Sequence, residues 1–344
     1  MSAAIDCGRD PVEAAMWLAR AFTAGGRLRV WAPGAADHAH HVAVEFVHPV
    51  VAGSRALAVV VASPDDLEDA AADARLVIGS DRSGADLFVS GDQADLSIVR
   101  SYHLLWELVQ VALEHPGLVG SASAAGGDST GFLYPFLDAA EHDEASLRES
   151  LRQSADAKVQ ESERLARESL ESNREALRQA GGAIGRSARS GGRVLTMGNG
   201  GSAADAARLA RLLRSQRVAA QSLSADYAVA TALANDLGAE RIFARQLDAY
   251  AQPGDVLVGC STSGASQNLL AAFDQAVAKG LVTVGLSGYG GGSFEGHESV
   301  QHSLVVQSMS VHRIQEAQAA LMTSLCERAR DLQDAVEQTA ERAR

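Results

Sequence analysis

Two short runs in the second half of the chain carry the residue types that hold an anion. The first is Gly198-Asn199-Gly200-Gly201-Ser202 and the second is Ser261-Thr262-Ser263-Gly264-Ala265-Ser266. Glycines let the backbone approach a ligand closely, and a helix N-terminus offers unpaired N–H groups and the positive end of its dipole. The hydroxyls of the second run add O–H donors suited to phosphate oxygens. A P-loop would need a lysine next to its glycines, but the only lysines are Lys158 and Lys279. A dinucleotide fingerprint would need a third glycine where Ala203 and Ala204 stand. The first half offers a different chemistry. In His40-His41-Val42-Ala43-Val44-Glu45, residues 41 and 45 are four apart. On a helix they share a face, where they could bind one metal or divide acid–base work. His103 with Glu107, and Glu114 with His115, are further candidates. The bland alternative makes His38, His40, His41 and His48 surface or helix-end residues, and Leu105 and Trp106 core.

The elements that must position these groups alternate along the chain. In the first 118 residues, 11–24 reads as a helix, LRVW (28–31), ALAVVVA (56–62) and ARLVIG (74–79) as strands, and 98–115 as an amphipathic helix. Residues 119–143 form a linker rich in Gly, Ser and Pro, with an aromatic cluster at Phe132, Tyr134 and Phe136. A long polar helical stretch follows from Ser146, with Ser146 and Glu149 at capping-box spacing. Its apolar stripe (Leu147, Leu151, Val159, Leu165, Leu170, Leu177, Ile184) marks a helical hairpin or an oligomer contact. From Gly192, RVLTM, DVLVGCS, LVTVGLSG and SLVVQS read as strands. Helices separate the first three, and a closing helix runs from 313 to 343. That pattern is an α/β fold: two three-layer α/β/α units with flavodoxin-like parallel sheets, over 1–118 and 144–344.

Bulk properties bound the function. The chain has 344 residues, enough for two domains, and a net charge of −13. That charge argues against nucleic acid or an anionic membrane as the main partner. It does not forbid a phosphate ligand, because local N–H groups decide such a site. The three cysteines, Cys7, Cys260 and Cys326, have no metal-type spacing and suit a reducing compartment. An acidic N-terminus lacking a signal pattern, and apolar runs too short to span a bilayer, lead to the expectation of a cytoplasmic protein.

Five motifs in order, GNGGSAADA (198–206), TALANDLGAERIFARQLDA (231–249), GDVLVGCSTSGASQN (254–268), GLSGYGGG (285–292) and RIQEAQ (313–318), resemble phosphoheptose isomerases of the sugar isomerase (SIS) superfamily. The resemblance covers Ser146 to about Arg330. It implies interconversion of sedoheptulose 7-phosphate and an aldose heptose phosphate, a homo-oligomer with interfacial sites, and zinc as candidate cofactor. Carried over by position, the substrate-binding set is Asn199, Gly200, Gly201, Ser202, Asn235, Asp236, Ser261, Thr262, Ser263, Ser266 and Gln315. The family's chemical positions differ: Arg208 stands for a metal-ligand histidine, Leu212 for a glutamate base, and Thr323 for a second histidine. Aldose–ketose isomerisation needs a general base and a group that stabilises the oxyanion. Leu212 cannot take a proton.

Residues 25–50 line up with 191–218, GSDRSG (79–84) with GCSTSG (259–264), and 101–117 with 311–327, which suggests an internal duplication. The first copy has lost its phosphate loop and keeps His-x-x-x-Glu. The leading expectation is therefore a composite site. The second copy holds the phosphorylated sugar, and the first supplies His41 and Glu45 as catalytic groups across a pseudo-dimer interface. His41, Glu45 and Gln315 are the candidate metal ligands. A dimer of such chains would mimic a tetramer. The rival expectation is a sugar-phosphate sensor or assembly partner without catalysis. A SIS-type transcription regulator would need a basic helix-turn-helix, and the first half is neither basic nor all-helical.

Overall fold

Short apolar runs bounded by glycines and prolines build two separate all-parallel sheets, seen here in a computed structural model that describes residues 10–49, 54–68, 73–91, 95–115 and 144–342, with side chains as far as 331. The chain divides into two compact units, Met1–Glu163 and Arg164–Arg344. Residues 116–143, including the aromatic cluster at 132–136, lie outside the described residues, as does Cys7.

Unit 1 runs α1 (Pro11–Thr23), β1 (Leu28–Trp31), α2 (Ala36–Val47), β2 (Val59–Val61), α3 (Pro64–Glu68), β3 (Ala74–Gly79), β4 (Leu87–Ser90) and α4 (Asp95–Glu114), and ends within α5 (Glu144–Ser172). Its sheet has the order β2-β1-β3-β4. Asp10 caps α1, its side chain accepting from the Glu13 N–H at 2.9 Å, with Pro11 at the first helical position. The strand expected over 56–62 shrinks to Val59–Val61, because β2 is an edge paired on one side only and partly exposed. LFVS (87–90) forms a strand too short to stand out from its neighbours. The helix expected to be amphipathic is instead buried all round, every residue from Ile98 to Leu113. Its polar members find partners. Ser101 Oγ donates to the Ser97 carbonyl at 2.8 Å, and Gln110 Nε2 donates to the Arg55 carbonyl at 3.1 Å.

Unit 2 continues with α6 (Arg174–Arg189), β5 (Val194–Gly198), α7 (Gly201–Ser215), β6 (Ala220–Ser222), α8 (Tyr227–Leu237) and α9 (Ile242–Tyr250). It ends with β7 (Val256–Cys260), α10 (Gln267–Ala278), β8 (Val282–Ser287), β9 (His302–Val305) and α11 (Val311–Arg342). The sheet order is β6-β5-β7-β8-β9, with Gly198 opposite Cys260 and Cys260 opposite Leu286. One apolar layer (Val194, Val256, Val258, Val284, Leu209, Ile184, Leu325) and another (Leu195, Met197, Leu257, Phe273, Phe294, Leu247) sandwich this sheet. The long polar stretch is two helices that break at Asn173. There the side-chain amide donates to the Val305 carbonyl and accepts from the Val305 N–H, each at 2.8 Å, so that one residue stands in for a strand beside the edge of β9. Glu144 opens α5, which places Ser146 inside the first turn rather than at its cap.

Candidate functional site

In unit 2 the strand order reverses between β5 and β7, and open parallel sheets bind ligands at that point, outside the C-terminal strand ends. Both anion-type runs emerge there. Gly198 ends β5, and a Cβ at that position would lie 2.2 Å from the Ser202 carbonyl oxygen and 3.0 Å from that of Cys260. The close approach folds Asn199–Ser202 tightly onto the start of α7. Gly200 is the N-cap residue and brings no side-chain cap, so the first-turn N–H groups stay available. The Ser224 hydroxyl braces Gly198 from the other side, donating to its carbonyl at 2.8 Å and accepting from its N–H at 3.0 Å.

The hydroxyl run follows β7. Ser261 is buried, and its Oγ accepts from the Gly264 N–H at 3.0 Å, while Ser263 Oγ accepts from the Ala265 N–H at 3.3 Å. Gly264 has φ +62°, a left-handed conformation that folds the loop back toward β8. Ser266 precedes α10 as its N-cap residue without a side-chain capping bond, leaving its hydroxyl for other use. Asn199 and Asn268 join the two runs by a reciprocal amide pair, both bonds 2.9 Å. Asn268 and Ser224 were not singled out by sequence, because amides and hydroxyls that brace a loop have no spacing signature. Thus Asn199, Gly200, Gly201, Ser202, Ser261, Thr262, Ser263 and Ser266 all fall on two tied loops at the switch point.

The remaining sequence-derived positions fall elsewhere. Asn235 and Asp236 lie near the end of α8, both exposed, with Asn235 Nδ2 donating to Asp236 Oδ1 at 2.8 Å. No residue of α8 is buried, although the helix is mostly apolar; Tyr227 is 81% and Leu237 50% exposed. Gln315 is buried on α11, and its Nε2 donates to Asp205 Oδ2 at 3.0 Å. The other Asp205 oxygen pairs with the guanidinium of Arg208 at 2.9 Å, with neither side chain more than 1% exposed. Arg208 therefore makes an internal ion pair on α7, its Nη2 also 3.6 Å from Met322 Sδ. Gln318 donates to the Ser261 carbonyl at 3.2 Å, so α11 supports the hydroxyl loop from beneath. Burial pushes the Cys260 thiol far above its usual range; the Asp205 charge adds to that rise and Arg208 opposes it. Leu212 is partly buried against the core, and Thr323 donates its hydroxyl to the Ala319 carbonyl at 3.1 Å.

Unit 1 brings the other candidates together. His41 and Glu45 lie one turn apart on α2, with His41 Nε2 3.5 Å from Glu45 Oε1. His103 on α4 places its Nε2 3.5 Å from the same His41 nitrogen. One ligand atom from each of the three residues lies within 4.8 Å of the others, and all three residues are buried. Around a tetrahedral zinc with bonds of about 2.1 Å, ligand atoms stand about 3.4 Å apart; the two separations from His41 Nε2 match that spacing, and the three residues form a candidate set for a divalent ion. The Tyr102 hydroxyl lies 2.9 Å from His41 Nδ1, the arrangement that fixes which imidazole nitrogen faces a ligand. One turn along α4 from His103, Glu107 pairs with Lys158 of α5 at 2.9 Å. Tyr102 and Lys158 carried no sequence signal, since only tertiary packing brings them to His41 and Glu107. His38, by contrast, is buried and pairs with Asp95 at 3.2 Å, unlike the surface position the bland alternative gives it, whereas Leu105 and Trp106 are fully buried core as that alternative expects. Glu114 and His115 lie at the end of α4, where His115 bonds the Val111 carbonyl at 3.0 Å.

Parallel α/β units with a phosphate-type loop pair at the switch point define a SIS-fold protein, and the SIS domain family matches residues 159–288. The chain belongs to the phosphoheptose isomerase family. It is 38% identical over 174 residues to the phosphoheptose isomerase of Campylobacter jejuni, covering 49% of this chain and 92% of that protein. It is 42% identical over 145 residues to that of Roseiflexus sp., covering 40% of this chain and 73% of the relative. Among solved structures, the C-terminal domain of glucosamine-fructose-6-phosphate aminotransferase from Francisella tularensis shares the fold. The TM-score is 0.54 at 10% identity, over 94% of each chain.

Proposed function

We propose that this protein is an aldose–ketose isomerase acting on sedoheptulose 7-phosphate or a sugar phosphate of similar size, with zinc as its metal. The supporting observation is the division of chemistry between the units. The loops at 199–202 and 261–266 retain N–H and hydroxyl donors for a phosphate, and His41, Glu45 and His103 retain the acid–base groups that Arg208, Leu212 and Thr323 cannot supply. In the reaction a base removes the proton from the hydroxyl-bearing carbon beside the carbonyl. The enediol forms, and a proton returns to the former carbonyl carbon while a hydroxyl proton moves between the two oxygens. Nothing is gained or lost overall. Glu45 is the base in this reading, and His41, oriented by Tyr102, exchanges the oxygen-bound proton. The same three residues would hold the zinc, which would supply a Lewis acid for the developing oxyanion; while bound to it Glu45 and His41 would be ligands, so proton transfer by them would require their release from the ion.

The isolated chain leaves α8 bare, with the sequence-matched Asn235 and Asp236 on it. A second copy covering this apolar helix would complete the substrate site, which makes the working form a homo-oligomer. The decisive experiment is turnover of sedoheptulose 7-phosphate by the wild type and by Glu45→Gln. Loss of about 10²-fold or more in kcat with sugar-phosphate binding retained supports the assignment. Full activity in Glu45→Gln would remove unit 1 from the chemistry. Binding without turnover in the wild-type protein would instead identify a sugar-phosphate sensor.

A further inference from the structure

At the opposite end of the unit 2 strands from the ligand loops, α6, α11 and the first residue of β9 border an open cleft of about 510 Å³. Its walls carry the guanidinium groups of Arg178, Arg186 and Arg328 and the imidazole of His302, against a single carboxylate, Asp331. The cluster is locally positive in a chain whose net charge is −13. Arg178 is held from one side by Glu175, at 2.8 Å from Nε and 2.6 Å from Nη2, which leaves its Nη1 edge for another acceptor. Arg328 donates through Nε to Ser324 of its own helix at 3.4 Å. Among the described residues no carboxylate pairs with Arg186 or Arg328. The cleft feels this charge: burial and the neighbouring Arg186 both hold His302 below the usual histidine range.

Two glycines of α6 shape the floor of the cleft. Gly181 and Gly182 stand in the middle of a helix, where each glycine costs about 1 kcal/mol relative to alanine. The first is explained by the close approach of α11 to α6, and the second leaves space beside a guanidinium group. A Cβ on Gly181 would come within 2.6 Å of Arg328 Cβ, and one on Gly182 within 3.2 Å of Arg186 Nη1. The glycine pair lowers the helix wall, so that the stem of Arg328 and the head of Arg186 can lie against it.

We propose that this cleft is a second ligand site, one that binds an oligophosphate anion: inorganic pyrophosphate or the phosphate tail of a nucleotide. Planar guanidinium groups grip phosphate oxygens in pairs, and several of them around one cavity match an anion with more than one phosphate group better than a sugar monophosphate. The volume lies within the range of small-molecule sites. Because His302 begins β9 while the sugar-phosphate loops lie beyond the other ends of β5 and β7, a ligand here cannot be the substrate held by those loops. The cleft is therefore a site separate from those loops.

The test is isothermal titration and thermal unfolding of the full chain with sodium pyrophosphate and, separately, with ATP, each against sodium chloride of matched ionic strength. Saturable binding is expected, weakened about tenfold or more by Arg186→Glu and by Arg328→Glu and unchanged in Ser263→Ala. Arg186 is exposed, so its charge reversal tests the site even where Arg328→Glu disturbs α11. Affinity for ATP well above that for pyrophosphate assigns the site to nucleotides, and equal affinity assigns it to the diphosphate group. The proposal is overturned by the absence of binding at millimolar concentrations, by an equal effect of sodium chloride, or by binding that Ser263→Ala abolishes and the two arginine variants keep.

Discussion

Replacing Arg208 with methionine tests the claim that the residue at a family metal position has become an internal structural cation. Methionine keeps much of the volume and removes the charge. Asp205, fully buried, then loses the guanidinium 2.9 Å away. Breaking a buried pair from one side costs about 3–5 kcal/mol, because the remaining charge is stranded away from water. Asp205 keeps the Gln315 Nε2 donor at 3.0 Å, so the expected loss is at the low end, about 3 kcal/mol. For a unit of this size each kcal/mol moves Tm by about 2–4 °C, which gives a fall of about 6–12 °C. Urea unfolding and calorimetry read both quantities. The double variant Arg208→Met with Asp205→Asn removes both charges and should recover to within about 1 kcal/mol of the wild type. A single variant as stable as the wild type, or a double variant no better than the single, would refute the reasoning.

Gly264→Ala forces a side chain into a left-handed backbone position at φ +62°, with its Cβ 2.2 Å from the Gly291 carbonyl oxygen. The loop must open, and sugar-phosphate affinity measured by calorimetry should fall at least about tenfold. Ser261→Ala leaves the Gly264 N–H without the hydroxyl that now receives it at 3.0 Å, and should cost about 1 kcal/mol of stability together with weaker phosphate binding. Cys260, buried and with its thiol pKa raised mainly by burial, should resist maleimide in the folded protein and react only on unfolding; rapid labelling under native conditions would contradict this. His302 titrates lower in the folded chain than in the unfolded one, so the unfolded state binds more protons as pH falls through the ordinary histidine range of about 6.5. Its contribution to stability is present above that pH and is lost below it. His302→Gln should flatten that part of the stability–pH curve, read by urea unfolding.

The parts of the protein that were legible in its sequence are those governed by local chemistry. Gly198–Ser202 and Ser261–Ser266 stand out because glycine and serine have few other reasons to cluster between a buried strand and a helix. The strands of unit 2 stand out because parallel strands covered on both faces are continuous apolar runs. His41 and Glu45 were found because two residues one turn apart need only a helix to meet. His103 could be named only as a candidate, since its approach to His41 depends on how α4 crosses α2. The apolar helix α8 was not resolved as an element, because apolar residues spread around most of its surface leave no clear period to read. The break at Asn173 was likewise hidden: an asparagine in a polar helical stretch does not disclose that its amide will pair with the backbone of β9, 132 residues away. Local spacing also did not reveal that α4 would be buried on every side from Ile98 to Leu113, with Arg100 and Glu107 paired to Glu163 and Lys158 of α5.

The ligand loops of unit 2 owe their shape to side chains that are missing. A Cβ at Gly198 would strike the backbone of Ser202, one at Gly264 that of Gly291, one at Gly292 that of Ser263, and one at Gly288 the side chain of Ile314. These positions offer a ligand no functional group. A saturation scan for sugar-phosphate binding would nonetheless score them as intolerant as the serines, and substitutions that enlarge them would resemble losses of contact residues. Tolerance maps of this protein therefore report two kinds of importance that only its three-dimensional structure separates: atoms that touch the ligand, and vacancies that let the backbone reach it.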